Sequence, residues 1–126
     1  MIKDLKYLMS YTIAVTAFIG IILGGPFVYL TVIYTFVFIP ILEINIKEDN
    51  QEYSIDEKEK RNLNLFFDFL LYLNVPIVFG IFFISLNTLL LSNSLFEIIG
   101  IILSSSIVMA TNGINVGHEL GHRKSL

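Results

Sequence analysis

Along this chain the apolar positions come in long blocks. The first block, residues 7–42, contains no charged residue. As one helix it would be about 54 Å long at about 1.5 Å per residue, whereas the hydrocarbon core of a bilayer is about 30 Å thick. Gly24-Gly25-Pro26 stands near its middle and favours a break. The block therefore predicts a hairpin of two spans, at 7–23 and 27–44. A mixed-charge stretch, KEDNQEYSIDEKEKRN, follows. Two further blocks predict spans at 65–86, opening LFFDFLLYL, and at 95–117. The pattern is that of an all-α integral membrane protein with four transmembrane helices and one sizeable polar loop, at 45–63.

Composition agrees. Of 126 residues 55% are hydrophobic and 15% charged, where a soluble domain carries about a quarter charged. Mean hydropathy is +0.75. The net charge of −3, without a basic stripe, argues against nucleic acid as a partner. The absence of cysteine excludes disulfides, cysteine–zinc sites and cysteine nucleophiles within this chain. A cleaved signal peptide fits the N-terminal block poorly, because the apolar run is too long and no small-residue cleavage site stands out.

The eight basic residues orient the spans. Lys3 and Lys6 precede span one; Lys47, Lys58, Lys60 and Arg61 lie between spans two and three; Arg123 and Lys124 follow span four. The connections at 24–26 and 87–94 carry none. With four spans every Lys and Arg falls on one side, which predicts that both termini and the 45–63 loop are cytoplasmic.

Several single residues have two readings. The loop is a plain solvated connection or a docking segment, and Ser54-Ile55-Asp56-Glu57 can open a short helix there through a capping box. Asp68, four residues into span three, is a functional intramembrane acid or one that reaches the interface. Ser104, Ser105, Ser106, Ala110, Gly113 and Gly117 let another helix or a chain-like substrate come close, or serve ordinary packing. Pro40 and Pro76 predict kinks. Tyr7, Tyr11 and Tyr72 read as interface anchors.

The chain's two histidines, His118 and His122, stand four apart at the mouth of span four. On a helix that spacing puts both imidazoles on one face, with Cβ atoms about 5–6 Å apart, suited to one metal ion or a close pair. Two ordinary polar residues at a membrane interface are the bland alternative. The string His-Glu-x-x-His first suggests a zinc protease, with two histidines on zinc and Glu119 activating water.

The flanks point elsewhere. The stretch Asn115-Val116-Gly117-His118-Glu119-Leu120-Gly121-His122-Arg123 closely resembles the first histidine box of the membrane alkane 1-monooxygenases, within the membrane fatty acid desaturase and hydroxylase superfamily. Asp68-Phe69-Leu70-Leu71-Tyr72-Leu73-Asn74-Val75-Pro76 resembles that family's third span, and Pro40-Ile41-Leu42-Glu43 with the acidic loop resembles its second span and connection. The likeness covers most of the chain, but only the histidine box is specific. It implies two non-haem iron ions held by histidines at the cytoplasmic ends of a helical bundle in a bacterial inner membrane. It further implies hydroxylation of the terminal carbon of medium or long alkanes with O2 and electrons from a rubredoxin-type donor. His118 and His122 match metal ligands, and no other catalytic residue is assigned. Glu119 and Asn115 match the box and orient imidazoles, or are respectively a solvated glutamate and a helix-satisfied amide.

One departure is plain. The family carries further boxes of the His-x-x-x-His-His and His-x-x-His-His kinds and one more histidine, and none is in this sequence. Two imidazoles neither hold a di-iron centre nor complete a protease zinc site, which takes three protein ligands. The expectation is the N-terminal part of a larger bundle, inactive alone: a truncated product, a partial sequence or half of a split enzyme. A fragment of an intramembrane zinc protease and a non-catalytic membrane subunit are the alternatives.

Overall fold

The computed structural model describes residues 5–45, 56 and 65–122, the side chains of 5–8, 66–67 and 122 excepted. The first helix, α1, is Leu5–Leu23. The second, α2, begins as a 3-10 turn over Gly25–Tyr29 and runs α-helical over Leu30–Ile33. It widens to a π turn at Tyr34–Phe38 and closes with Ile39–Asn45. Helix α3 is Leu65–Leu91. Helix α4 runs through Leu95–Val108, a π segment Met109–Ile114, and Asn115–His122. No strand occurs among the described residues.

Three helices are long and apolar enough to cross a membrane: Gly25–Asn45, Asp68–Leu91 and Leu95–Gly121. The apolar part of α1, Met9–Leu23, is shorter. The chain is thus an all-helical, membrane-associated multi-pass protein.

The break expected at residues 24–26 is present and has a local cause. Gly24 and Gly25 take φ values of 68° and 57°, a left-handed conformation that costs glycine little. Pro26, lacking an N–H, occupies the opening of the next helix, where that donor is not needed. Across the bundle, Glu97 fastens this turn to the one between α3 and α4. Its Oε1 accepts from the Gly25 N–H at 2.6 Å, and its Oε2 accepts from the Ser92 hydroxyl at 2.9 Å. Both turns therefore lie at one end, the turn end. The ends marked by Asn45, Leu65 and His122 lie together at the other, the histidine end.

Small residues set the packing. Helix α1 buries Ile13, Ala14, Ala17 and Ile21, and α4 buries Gly100, Ile101, Ser104 and Val108. A Cβ on Gly100 would lie 2.3 Å from Val28 Cγ2, and one on Gly20 would lie 2.4 Å from the Phe27 carbonyl oxygen. These two glycines let the start of α2 press against α4 and α1. Ser104 donates to the Val28 carbonyl at the same crossing. The outer surface is paved with large apolar side chains, such as Phe36 at 67% and Ile44 at 84% exposure, as suits contact with lipid.

The helices depart from expectation in places. Span three runs to Leu91, and the link after it shrinks to residues 92–94. Helix α3 passes through Pro76 unbroken. Near Pro40 the backbone opens into the π turn Tyr34–Phe38 rather than ending. Proline at 40 offers no N–H to the Phe36 carbonyl, and a wider turn relieves its ring. Span four does not stop at residue 117; its helix reaches His122. Tyr72 is exposed, as an anchor should be, but Tyr11 is half-buried and donates to the Leu70 carbonyl of α3. The capping box at residues 54–57 lies outside the described residues apart from Asp56, which is helical and exposed. Arg123, Lys124 and the side chain of Tyr7 also lie outside them.

Candidate functional site

The histidine helix, Asn115–His122, continues a membrane-length apolar rod without a break in the chain. Its packing face can be read from burial. Val116 and Leu120, one turn apart, are half-buried, while Asn115, Gly117, His118, Glu119 and Gly121 are exposed. His118 and His122 each stand two residues beyond this pair, about 200° around the helix axis at about 100° per residue. Positions 118 and 122 thus share one face of the helix, and His118 is exposed there. Asn115 and Glu119 lie one turn apart beside it.

The donor set is small. Among the described residues no group of three or more His, Cys, Asp or Glu side chains converges to hold a metal ion. Asp68 stands half-buried in the first turn of α3, where the helix dipole favours a negative charge. An apolar cleft of about 290 Å³ lies between α1 and α3, lined by Tyr11, Ala14, Phe18, Ile77, Gly80 and Ile81 among others. Its lining comes from α1 and α3 and includes no residue of the histidine helix.

The residues that sequence reasoning missed lie below the histidines. Asn112, fully buried in the π segment, donates from Nδ2 to the Ser10 carbonyl of α1 at 2.9 Å and to Asn74 Oδ1 of α3 at 3.0 Å. Its own Oδ1 accepts from the Thr111 hydroxyl at 2.8 Å. Asn74, 2% exposed, reaches back from Nδ2 to the Asn112 carbonyl at 3.5 Å. Three helices meet at this amide pair, six residues and about 9 Å of helix before His118. The available signal was spacing: Asn112 extends the buried series Ile101, Ser104 and Val108 at steps of three and four residues. An amide on that line inside an apolar span has to find partners.

No protein-family model, no curated protein and no solved structure matches this chain. The fold and the candidate site together define a helical membrane protein that presents an i, i+4 histidine pair where its longest apolar helix ends.

Proposed function

We propose that this chain is the ligand-bearing N-terminal portion of a membrane non-haem di-iron monooxygenase that hydroxylates the terminal carbon of medium or long alkanes. The observation that carries the reading is the pairing of the Asn115–His122 string with its geometry. Positions 118 and 122 share one face of the helix, with His118 exposed, at the end of a 27-residue apolar segment. A metal held there meets a soluble rubredoxin-type donor from the water side, while an apolar substrate arrives through the bilayer.

The same proposal includes four spans with both termini inside the cell, in the inner membrane of a bacterium. The positions of both tight turns support it. All eight basic residues fall in segments adjoining the histidine end, and residues 24–26 and 92–94 carry none. Helix α1 has 19 residues, about 28 Å of helix, which nearly matches the hydrocarbon thickness.

The residues fit the metal in kind but not in number. Neutral imidazoles suit iron, and Glu119 and Asn115 flank them where they can steer an imidazole ring. Two donors do not close a di-iron cage, so the remaining ligands come from outside the described residues. In the complete centre the irons supply oxygen activation. The part played by this chain is to hold two nitrogens at a fixed spacing on the water side of an apolar helix.

The test is metal binding by the full chain in lipid nanodiscs. Anaerobic titration with Fe(II), and with Co(II) as a spectroscopic stand-in, is expected to show one site whose affinity falls at least tenfold in His118→Ala and in His122→Ala. Equal binding by wild type and both variants overturns the reading. Selective retention of zinc, with an aspartate ligand rather than histidine boxes encoded downstream, favours the protease alternative instead.

A further inference from the structure

Helix α4 is not one regular helix. Its π segment, Met109–Ile114, separates the packed part, Leu95–Val108, from the histidine part, Asn115–His122. A π turn holds one residue more than an α turn, so everything beyond it is turned back by about 100° relative to a regular helix. The direction in which His118 and His122 face is therefore decided at residues 109–114 and not at the histidines themselves.

π turns are rare because they forgo regular hydrogen bonds and need support from outside. Here the support is visible. Asn112 lies inside the segment with both Nδ2 hydrogens committed to other helices, one to the Ser10 carbonyl and one to Asn74 Oδ1. The segment's own Asn112 carbonyl receives the Asn74 amide at 3.5 Å. Thr111 contributes a second tie, its single hydroxyl proton shared between the Ile107 carbonyl and Asn112 Oδ1, each at 2.8 Å. Both asparagines are sealed from solvent, at 0% and 2% exposure. In an apolar surrounding an amide that loses its partners is costly, so the wider turn and the amide pair hold each other in place.

We propose that the buried Asn74–Asn112 pair, closed on Ser10, locks the π segment of α4 and so fixes the direction in which His118 and His122 face. Asn74 and Asn112 are positioning residues, since neither reaches the imidazole face. The inference rests on the reading above only in regarding that face as a ligand face. The geometric claim concerns the chain alone.

Relaxation of the π turn to a regular helix would swing the histidine face by about 100°. On a helix about 5–6 Å in radius with side chains, that moves a group at the surface by about 8 Å. Pulsed electron paramagnetic resonance reads such a shift. Cu(II) bound at the His118/His122 pair serves as one spin. A nitroxide at Ile44→Cys or Leu65→Cys, both highly exposed at the histidine end, serves as the other. The chain has no cysteine of its own, so labelling is unambiguous. A nitroxide pair at Ile44→Cys and Gly121→Cys reads the same rotation without metal, because a Cβ at Gly121 meets nothing within 4 Å.

In nanodiscs the otherwise wild-type chain is expected to give one narrow distance. Asn112→Ala is expected to move it by several ångströms or to double its width, and Asn74→Ala to act in the same direction. Asn87→Ala, at an exposed asparagine on α3, is expected to leave it unchanged. Should Asn112→Ala lose helicity by circular dichroism, Asn74→Ala and Asn112→Ser decide the matter. Wild-type distances in variants that remain helical overturn the inference. Failure of the chain to bind iron overturns the proposed function and leaves these distances as they are.

Discussion

Gly100 tests the packing logic most sharply, because one methyl group is predicted to act oppositely at two sites in similar helices. In Gly100→Ala the new Cβ would lie 2.3 Å from Val28 Cγ2, 2.8 Å from Tyr29 Cε2 and 3.0 Å from Tyr29 Cδ2. Comfortable carbon–carbon contact is about 3.5–4.0 Å, so the chains must separate by more than an ångström or Val28 must leave its place. Val28 is 1% exposed, and its carbonyl accepts from Ser104, so it has little room to yield. Overpacking of this kind costs about 1–3 kcal/mol. At Gly80 a Cβ meets nothing within 4 Å and would project beside the apolar cleft. Alanine there gains about 0.5–1 kcal/mol from helix propensity. The propensity gain applies equally to both sites, so the difference between the variants isolates the clash, at about 1–3 kcal/mol. Reversible unfolding in mixed micelles, followed by circular dichroism as denaturing detergent increases, measures it. A difference below about 0.5 kcal/mol, or a more stable Gly100→Ala, refutes the claim that α2 and α4 touch backbone to side chain at this point.

Two further predictions concern the ends of the bundle. Glu97→Ala strands the Gly25 N–H and the Ser92 hydroxyl that the carboxylate now joins, and is expected to cost about 1–3 kcal/mol in the same assay. Glu97→Gln keeps an acceptor for Gly25 and is expected to lose less than half as much. Single cysteines at Asn93, in the α3–α4 turn, and at Ser125 are expected to react with a membrane-impermeant maleimide from opposite sides of the membrane, Asn93→Cys from outside intact cells and Ser125→Cys only after lysis. Labelling of both from the same side removes the four-span topology.

The parts of the fold that depend on a few consecutive residues were legible in the sequence. Gly24-Gly25-Pro26 breaks the first block because two left-handed glycines and a proline act locally. The spacing of the histidines named a shared face if they stood on a helix, but the expected end of span four at 117 left that helix out. Which face of each helix packs could not be read. Lipid and protein core are both apolar, so hydrophobic periodicity does not tell them apart, and Phe36 and Phe83 are exposed although strongly apolar. The packed faces are marked instead by small and polar residues: Ala14, Ala17 and Gly20 on α1, Asn74 and Ser85 on α3, Gly100, Ser104 and Asn112 on α4. The run Ser104–Ser106 shows why that signal needs coordinates. Ser104 turns to α2, Ser105 bonds the Ile101 carbonyl of its own helix at 2.7 Å, and Ser106 is exposed. Gly100, the glycine with least room for a Cβ, was not among the expected small residues. The π segment of α4 was invisible as well, because it is held by tertiary partners, Ser10 and Asn74, and not by a local breaker.

Two polar ties of the bundle, at Glu97 and at Asn74–Asn112, do different work. At the turn end Glu97 joins two turns, one adjacent in the chain through Ser92 and one across the bundle through the Gly25 N–H. At the histidine end Asn112 is the last fully buried residue of α4 among the described residues, and beyond it Gly113, Val116 and Leu120 are half-covered. The last two turns of α4 therefore extend from a clamp, with positions 118 and 122 about 200° around the helix from Val116 and Leu120. An ion held by His118 and His122 takes, as proposed above, its other donors from outside the described residues, which offer no converging group of three. On the proposed reading those donors approach across the open side, where α4 shows Ile114, Ala110 and Ser106. A site assembled from separate helices in this way demands that each helix arrive with its ligands already aimed, since a 100° error in one rod cannot be corrected by rotating an imidazole. Aiming by a buried amide clamp one and a half turns away keeps the clamp dry in the apolar layer while the ligands stand at its edge.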